Sequence, residues 1–364
     1  EELLDLVAVA IACDIVALTG ENRVLATLGL QRINKSPRLG FHTMIELSGT
    51  RKSELSITDL VFMIGPRINA AGRIQHAHLA VELLIASDPE EAQAKGLKID
   101  HNNALRKDLD SEITEEAIRM VKEMSDQSDR YSNVLFKSDW HKGVIGIVAS
   151  RVIETHYKPT IILAENDGMA TGSARSVKGY NVYDAINACS DLLDRFGGHK
   201  YAAGLTMKVE HVDEFRRRFE EVVKDTMPDV LRTPVVNVNM EIKVDDINER
   251  FIRIIDAMAP FGPQNMRPVF LLNGVIGNDV RLVGDDHLKF VVRDATSDRF
   301  VQAIAFRQAD QRAIVESGAL FSLLCVAEFN DWNGRRSIQL NVKDIKEGVV
   351  ELSPQEVSTA ELLG

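Results

Sequence analysis

The chain has 364 residues, 45% of them hydrophobic and 27% charged, with a net charge of −11. That length exceeds one ordinary core and predicts two or three compact units, and the composition excludes large-scale disorder and any need for disulfide or metal staples. The negative balance excludes a protein that coats nucleic acid indiscriminately, although it leaves room for a local basic groove. No apolar run reaches the ~20 residues of a membrane span, the stretch Leu3 to Ala12 ending at Asp14.

In chain order, residues 1–86 alternate apolar helices with short loops, broken at Asn34 to Gly40 and at Gly65-Pro66, and read as the end of a larger α/β domain. The opening Glu1-Glu2-Leu3-Leu4, with no initiator Met and no leader pattern, reads as a start inside a folded region, hence a fragment. Residues 87–126 are charged and poor in glycine, with Asp88-Pro89-Glu90-Glu91 as a helix start, and predict one long connecting helix or a helix pair.

Residues 127–230 predict a small α/β domain: a strand at 133–136, a helix over 144–155 and a strand at 160–163, followed by a strand around Ala174, a helix over 182–195, a Gly197-Gly198 turn, a strand at 204–209 and a helix over 212–223. From 231 to 349 short alternating strands with glycine at the turns predict a small closed or half-closed β-barrel, interrupted by helical stretches at 247–258 and 308–317. Residues 350–364 carry no packing pattern and read as a tail. Cys13, Cys189 and Cys325 lie far apart in apolar surroundings and read as buried thiols of a reducing compartment, the cytoplasm.

Four groups of residues can carry chemistry. Asp14 ends an apolar segment, where a carboxylate is either an exposed helix-terminal cap or a metal ligand. In Gly65 to Arg73 two arginines, Arg67 and Arg73, flank Asn69. Arginine forks match phosphate oxygens, and the alternative is an Asn69 helix cap with solvated arginines. Three polar, glycine-containing segments fall in the small α/β domain: Trp140-His141-Lys142-Gly143, Gly172-Ser173-Ala174-Arg175-Ser176 and Gly197-Gly198-His199-Lys200. Each alone reads as a turn, but together they suit an anion site, because glycine admits close approach while Ser, Arg and His bind phosphate. Last, Phe329, Trp332, Arg335 and Arg336, with Lys289 and Arg293, fit a barrel that stacks bases on aromatics and tracks the backbone with cations. A phosphate loop, a Gly-x-Ser-x-Gly elbow and a Cys-x-x-Cys pair are all absent from the sequence, which removes support for a nucleoside triphosphatase, a serine hydrolase and a structural zinc site.

The ordered series Asp5 to Leu18, Glu21 to Leu25, Gly29-Leu30, Arg67 to Arg73, Trp140 to Arg151, Gly172 to Ser176 and Gly197 to Gly204 resembles the RecJ family of Asp-His-His phosphoesterases. So do Pro260-Phe261-Gly262-Pro263-Gln264-Asn265 and Trp332 to Arg335, which are similar to the family's OB-type C-terminal domain. Ala10 stands where the family commonly has Gly, and Ala17 where it often has Pro.

The resemblance implies a 5′→3′ exonuclease of single-stranded DNA in recombination and repair, hydrolysing phosphodiesters with two Mn²⁺ or Mg²⁺ ions. Among the family's metal ligands it assigns Asp14 alone to this chain, the others falling before Glu1, and so implies a chain that is inactive by itself and holds no metal tightly. It places Arg67, Asn69 and Arg73 at the scissile or terminal phosphate, with Ser173, Arg175, Gly198 and His199 holding the strand end and His141 beside them. The implied partners are single-stranded DNA and repair proteins such as a helicase or a single-strand-binding protein, with no membrane. Two rival readings are a related oligonucleotide or cyclic-dinucleotide phosphodiesterase, against which the β-rich region speaks, and a non-catalytic nucleic-acid-binding module.

Overall fold

The computed structural model describes residues 2–124, 130–332 and 335–351, Trp332 by its backbone. The helices run α1 (Leu4–Cys13), α2 (Gly20–Lys35), α3 (Leu39–Ser48), α4 (Ile57–Asp59), α5 (Gly65–Ile74), α6 (His78–Leu84) and α7 (Pro89–Glu123). Then follow β1 (Asn133–Lys137), α8 (Ile145–Thr155), β2 (Thr160–Asn166), β3 (Met169–Arg175), α9 (Val182–Asn187), β4 (Arg195–His199), β5 (Ala202–Lys208) and α10 (Val212–Thr226). The remainder is β6 (Met240–Ile242), α11 (Glu249–Asp256), β7 (Phe270–Val283), β8 (His287–Asp294), β9 (Phe300–Ala305), α12 (Arg312–Glu316), β10 (Phe321–Trp332) and β11 (Arg335–Glu347). Two compact units result, one from residues 31–55 and 59–235, the other from 1–30, 56–58 and 236 onward.

In the first unit the 35-residue α7 is a single helix, started by the Asp88 carboxylate accepting from the Glu91 N–H at 2.8 Å, with Pro89 in the first turn. Gly65-Pro66, expected to break the chain, instead sits inside continuous helix. A π-turn over Leu60–Ile64 leads straight into α5, the Gly65 N–H donating to the Leu60 carbonyl just before Pro66, which has no N–H to donate and sits in the first turn of α5 where none is needed. Asn69 therefore lies in mid-helix and caps nothing.

The sheet of this unit has the order β1-β2-β3-β5-β4, parallel between β1 and β2 and antiparallel elsewhere. Helix α8 buries Ile145, Val148, Ala149 and Val152 against Leu135, Ile162 and Ala164, each side chain contributing roughly 1.5–3 kcal/mol for the larger aliphatics. On the other face Ala174, Leu205 and Met207 pack with Phe215 and Phe219 of α10, whose rings stack at 5.6 Å. The helix expected over 182–195 stops at Asn187, and the Gly197-Gly198 turn is instead strand β4. Glycine lacks strand propensity, so only the pairing with β5 reveals it.

The second unit holds a six-stranded sheet ordered β10-β11-β9-β8-β7-β6, in which β10 also pairs with β7. Its β8 alternates cleanly, with Leu288, Phe290 and Val292 inward and Lys289, Val291 and Arg293 outward, the period-two signature of a half-buried strand. The strands expected at 269–272 and 275–283 merge into β7, and that over 235–244 shrinks to β6. In the same unit the turn after α1 is stitched to residues 258–265. Arg23 donates to the Met258 and Ala259 carbonyls at 2.8 and 3.2 Å, and the Leu18 N–H donates to the Pro263 carbonyl at 2.8 Å. Gly262 leaves space for the buried Leu18.

Candidate functional site

Residues opposed in register share a face of a sheet, so β3, β5 and β4 present three rows on the side away from α10. These are Thr171–Thr206–Arg195, Ser173–Gly204–Gly197 and Arg175–Ala202–His199. The middle row carries one hydroxyl and two glycines, so the face is bare backbone there, and Gly197, Gly204 and His199 are exposed. Helix α8 covers the neighbouring part of this face, and its first turn abuts the rows. A Cβ on Gly146 would lie 2.9 Å from Arg175 Nη2 and 3.0 Å from Ser173 Oγ.

Arg175 Nη1 donates to Ser173 Oγ at 2.9 Å and to the Ala174 carbonyl at 2.8 Å, which fixes the guanidinium beside Ser173 and Gly146 and leaves Gly204 and Gly197 open. Burial first, and the charge of Arg73 second, holds the Arg175 pKa below its usual value. Arg73 donates from Nη1 to the Gly143 carbonyl at 3.0 Å, and the Gly143 N–H donates to His141 Nδ1 at 3.1 Å, leaving the other ring nitrogen of His141 as the donor in the neutral form. Asn69, exposed, lies one turn before Arg73 on the same face of α5. His199 accepts from the Tyr201 N–H at 3.4 Å.

The structure thus gathers Arg73, His141, Ser173 and Arg175 around Gly143 and Gly146, with His199 in the Arg175 row. Gly198 faces the opposite way. Its φ of +150° and the 2.3 Å that would separate a Cβ from the Ala202 carbonyl make it a conformational requirement of β4. Arg67 is committed elsewhere, with Nε and Nη2 on Asp100 at 3.0 and 2.9 Å and Nη1 on the Met63 carbonyl at 2.8 Å. Arg67→Met is therefore expected to cost about 1–3 kcal/mol of stability by urea unfolding and to leave single-strand affinity within two-fold of the parent, about 0.4 kcal/mol. Trp140 belongs to the core, its Nε1 donating to Glu116 at 2.7 Å.

In the β-rich unit Arg336 makes a two-pronged ion pair with Asp331 at 2.8 and 2.9 Å and lies 5.1 Å over the Phe329 ring, and Arg335 is exposed. Beside them a cavity of about 400 Å³ is lined by three arginines and three carboxylates, a balanced set rather than a phosphate groove. The Trp332 side chain lies outside the described residues.

Asp14, exposed at the end of α1, offers one carboxylate, and no group of three His, Cys, Asp or Glu suited to a metal occurs among the described residues. One or two oxygens do not make a site for Mg²⁺ or Mn²⁺, which take near-octahedral oxygen sets, so the described residues do not fit such a centre by themselves. Sequence reasoning quoted Gly146 and Arg151 only within the Trp140 to Arg151 motif, gave neither a role, and did not single out Arg106 or Asp110. Arg106, Asp110 and Arg151 sit in or against α7, whose charged text reads as a solvated helix although Arg106 and Asp110 are buried.

Comparison with known proteins follows these lines. Residues 130–225 match the DHHA1 domain and residues 238–344 the RecJ OB domain. The chain is similar to the single-stranded-DNA-specific exonuclease RecJ of Bacillus subtilis, 37% identical over 94% of this chain and 44% of that protein. It is 32% identical to that of Haemophilus influenzae, over 95% and 62%. The crystal structure of RecJ from Thermus thermophilus in complex with Mg²⁺ superposes with a TM-score of 0.82 at 29% identity, covering 96% of this chain and 53% of that one. The chain spans about half the length of these relatives. Matching both domain models in order, the chain is homologous to RecJ proteins along nearly its whole length.

Proposed function

We propose that this chain is the strand-holding part of a 5′→3′ exonuclease acting on single-stranded DNA in recombination and repair. The observation that carries the reading is the apposition of Gly146 with Ser173 and Arg175, over a glycine-lined face and within the field of Arg73. A terminal phosphate needs this combination: a fixed guanidinium, a hydroxyl, unobstructed backbone and little competing negative charge. His141, Asn69 and His199 flank the phosphate, while Arg67 holds α5 to α7 through Asp100.

In this reading the β-rich unit curls into an OB-type barrel that binds single-stranded DNA by itself, and Trp332, Arg335 and Arg336 are the residues assigned to that binding. Two divalent ions, Mn²⁺ or Mg²⁺, would supply the hydrolytic chemistry, and Asp14 would be one of the residues that hold them. The relatives named above are single-stranded-DNA-specific exonucleases, and the T. thermophilus protein was solved with Mg²⁺ and with Mn²⁺, which supports the substrate and the ions alike. Among the described residues no helix is long and apolar enough to cross a membrane.

Fluorescence anisotropy of a labelled single strand and of the same sequence as a blunt duplex tests the reading. The single strand should bind more tightly, and its affinity should fall between about 50 and 200 mM salt, because each phosphate contact releases counterions with a slope near 0.7 per contact. Equal affinity for duplex, or indifference to salt, counts against it. A polypeptide of these 364 residues, given Mn²⁺ or Mg²⁺, is expected to release no mononucleotides from a labelled strand. Turnover comparable to that of a full-length relative would show a metal centre that these residues alone do not suggest.

A further inference from the structure

The core-facing stripe of α7 begins and ends apolar, with Ala92, Gly96 and Ile99 before and Ile113, Ala117 and Val121 after, but its middle is Asn102, Asn103, Arg106 and Asp110, all buried. Asn102 donates to Gln75 Oε1 at 3.3 Å, Arg106 Nη2 to Asn103 Oδ1 at 3.2 Å, and Arg106 Nη1 stands 3.8 Å from Asp110. Arg151 of α8 grips the same Asp110 through Nε and Nη2 at 2.8–3.1 Å. Arg106 Nε is buried with no hydrogen-bond partner among the described residues.

A network kept for stability would be balanced and fully bonded, since a buried charge with an unmade hydrogen bond costs more than an apolar side chain of similar size. The α7 network is neither. Arg106 and Arg151 share a single carboxylate, and the charges of Arg73 and Arg151 both bear on Arg106, whose pKa is held down by burial first and by these like charges, against Asp110. Arg73 bears on Arg175 as well. The network also touches the elements that carry the site: Asn102 bonds Gln75, two residues after Arg73 at the end of α5, and Asp110 bonds Arg151 of α8, whose first turn abuts Ser173 and Arg175.

We propose that Arg106 is a positioning residue of the phosphate site, a buried charge on α7 that acts through Arg73 to strengthen the hold of Arg73 and Arg175 on an anionic strand end without touching it. The Asp110–Arg151 pair fixes α8 to α7, so that the Gly143 carbonyl stays within reach of Arg73. This inference rests on the reading of the Ser173–Arg175 face as a phosphate site.

The test uses the full chain and a 3′-fluorescein single strand carrying a 5′-phosphate, with Arg106→Met, Arg106→Lys, Arg73→Met, Arg175→Ala and the double variant Arg73→Met/Arg106→Met. Arg106→Met should bind about five- to ten-fold more weakly, with a melting temperature equal to or above that of the parent, because an apolar side chain replaces a buried charge. Arg106→Lys, which keeps the charge, should recover most of the affinity. In the Arg73→Met background the second substitution should change affinity by less than about two-fold, the non-additivity of residues acting in series.

Equal losses in both backgrounds, or a lowered melting temperature with affinity falling in step and no rescue by lysine, would show a merely structural arginine and overturn the proposal. If Arg106→Met binds normally while Arg175→Ala binds weakly, the positioning role alone fails. Should Arg175→Ala also bind normally, the phosphate site falls, and the inference with it.

Discussion

Replacing Arg175 with alanine is expected to weaken single-strand binding by roughly ten- to a hundred-fold, the equivalent of about 1.5–3 kcal/mol for charge-assisted hydrogen bonds lost to a phosphate. The guanidinium is preset for that contact, fixed by Ser173 Oγ and the Ala174 carbonyl, half-buried and next to another cation. Because the fold disfavours its charge, the substitution should leave thermal stability unchanged or slightly raised. Loss of binding with retained stability is the signature of a site held against the preference of the fold. Arg175→Lys should recover only part of the affinity, since an ammonium cannot span hydroxyl and phosphate as a planar fork does. Anisotropy titrations and a melting curve on each variant decide the matter. If Arg175→Ala melts many degrees lower and loses affinity only in proportion, the arginine is a structural residue.

The second large effect is expected at Gly198. Its φ of +150° lies where side chains are rarely found, and a Cβ would stand 2.3 Å from the Ala202 carbonyl and 2.5 Å from the Ala203 Cα. Both obstacles are backbone of the paired strand β5, so neither can swing away. Gly198→Ala should therefore cost about 3 kcal/mol or more, by strain at this conformation plus loss of the β4–β5 pairing, read as a lower urea midpoint. With β4 displaced, His199 leaves the Arg175 row and the bare face at Gly197 is lost, so single-strand affinity should fall as well. Gly197→Ala is the matched control. It has open space around the added methyl and an ordinary φ, so it should fold normally and report only on what approaches the face. An unchanged midpoint for Gly198→Ala would refute the strained geometry at this position.

Much of this was legible in the sequence where local pattern and tertiary environment agree. The alternation of β8, the β1–α8–β2 succession and the Asp88-Pro89 helix start can each be read without knowing what they pack against. The sequence misleads where packing overrides propensity. Gly65-Pro66 reads as a break, yet a π-turn carries the helix through it. Gly197-Gly198 reads as a turn, yet hydrogen bonds to β5 make it a strand. The site divided along the same line. Ser173, Arg175, Arg73 and His141 stand in polar, glycine-marked segments, and such segments advertise an approachable backbone. Arg106 and Asp110 stand four apart in a helix full of charge, where burial leaves no local mark. The one hint was periodicity: positions 99, 103, 106, 110, 113 and 117 form a continuous stripe with charge at its centre.

The stitching of Arg23 to the Met258 and Ala259 carbonyls, and of Leu18 to Pro263, joins residues 235 to 245 positions apart. On a ribosome adding about 5–20 residues per second, helices α1 and the start of α2 emerge on the order of ten seconds or more before their partners exist. For that interval their apolar flank, with Leu18 in it, has no cover from this loop. Helices α1 and the start of α2 are thus made well before the distal residues of their own unit, and the contacts between them form only once those residues have been synthesised.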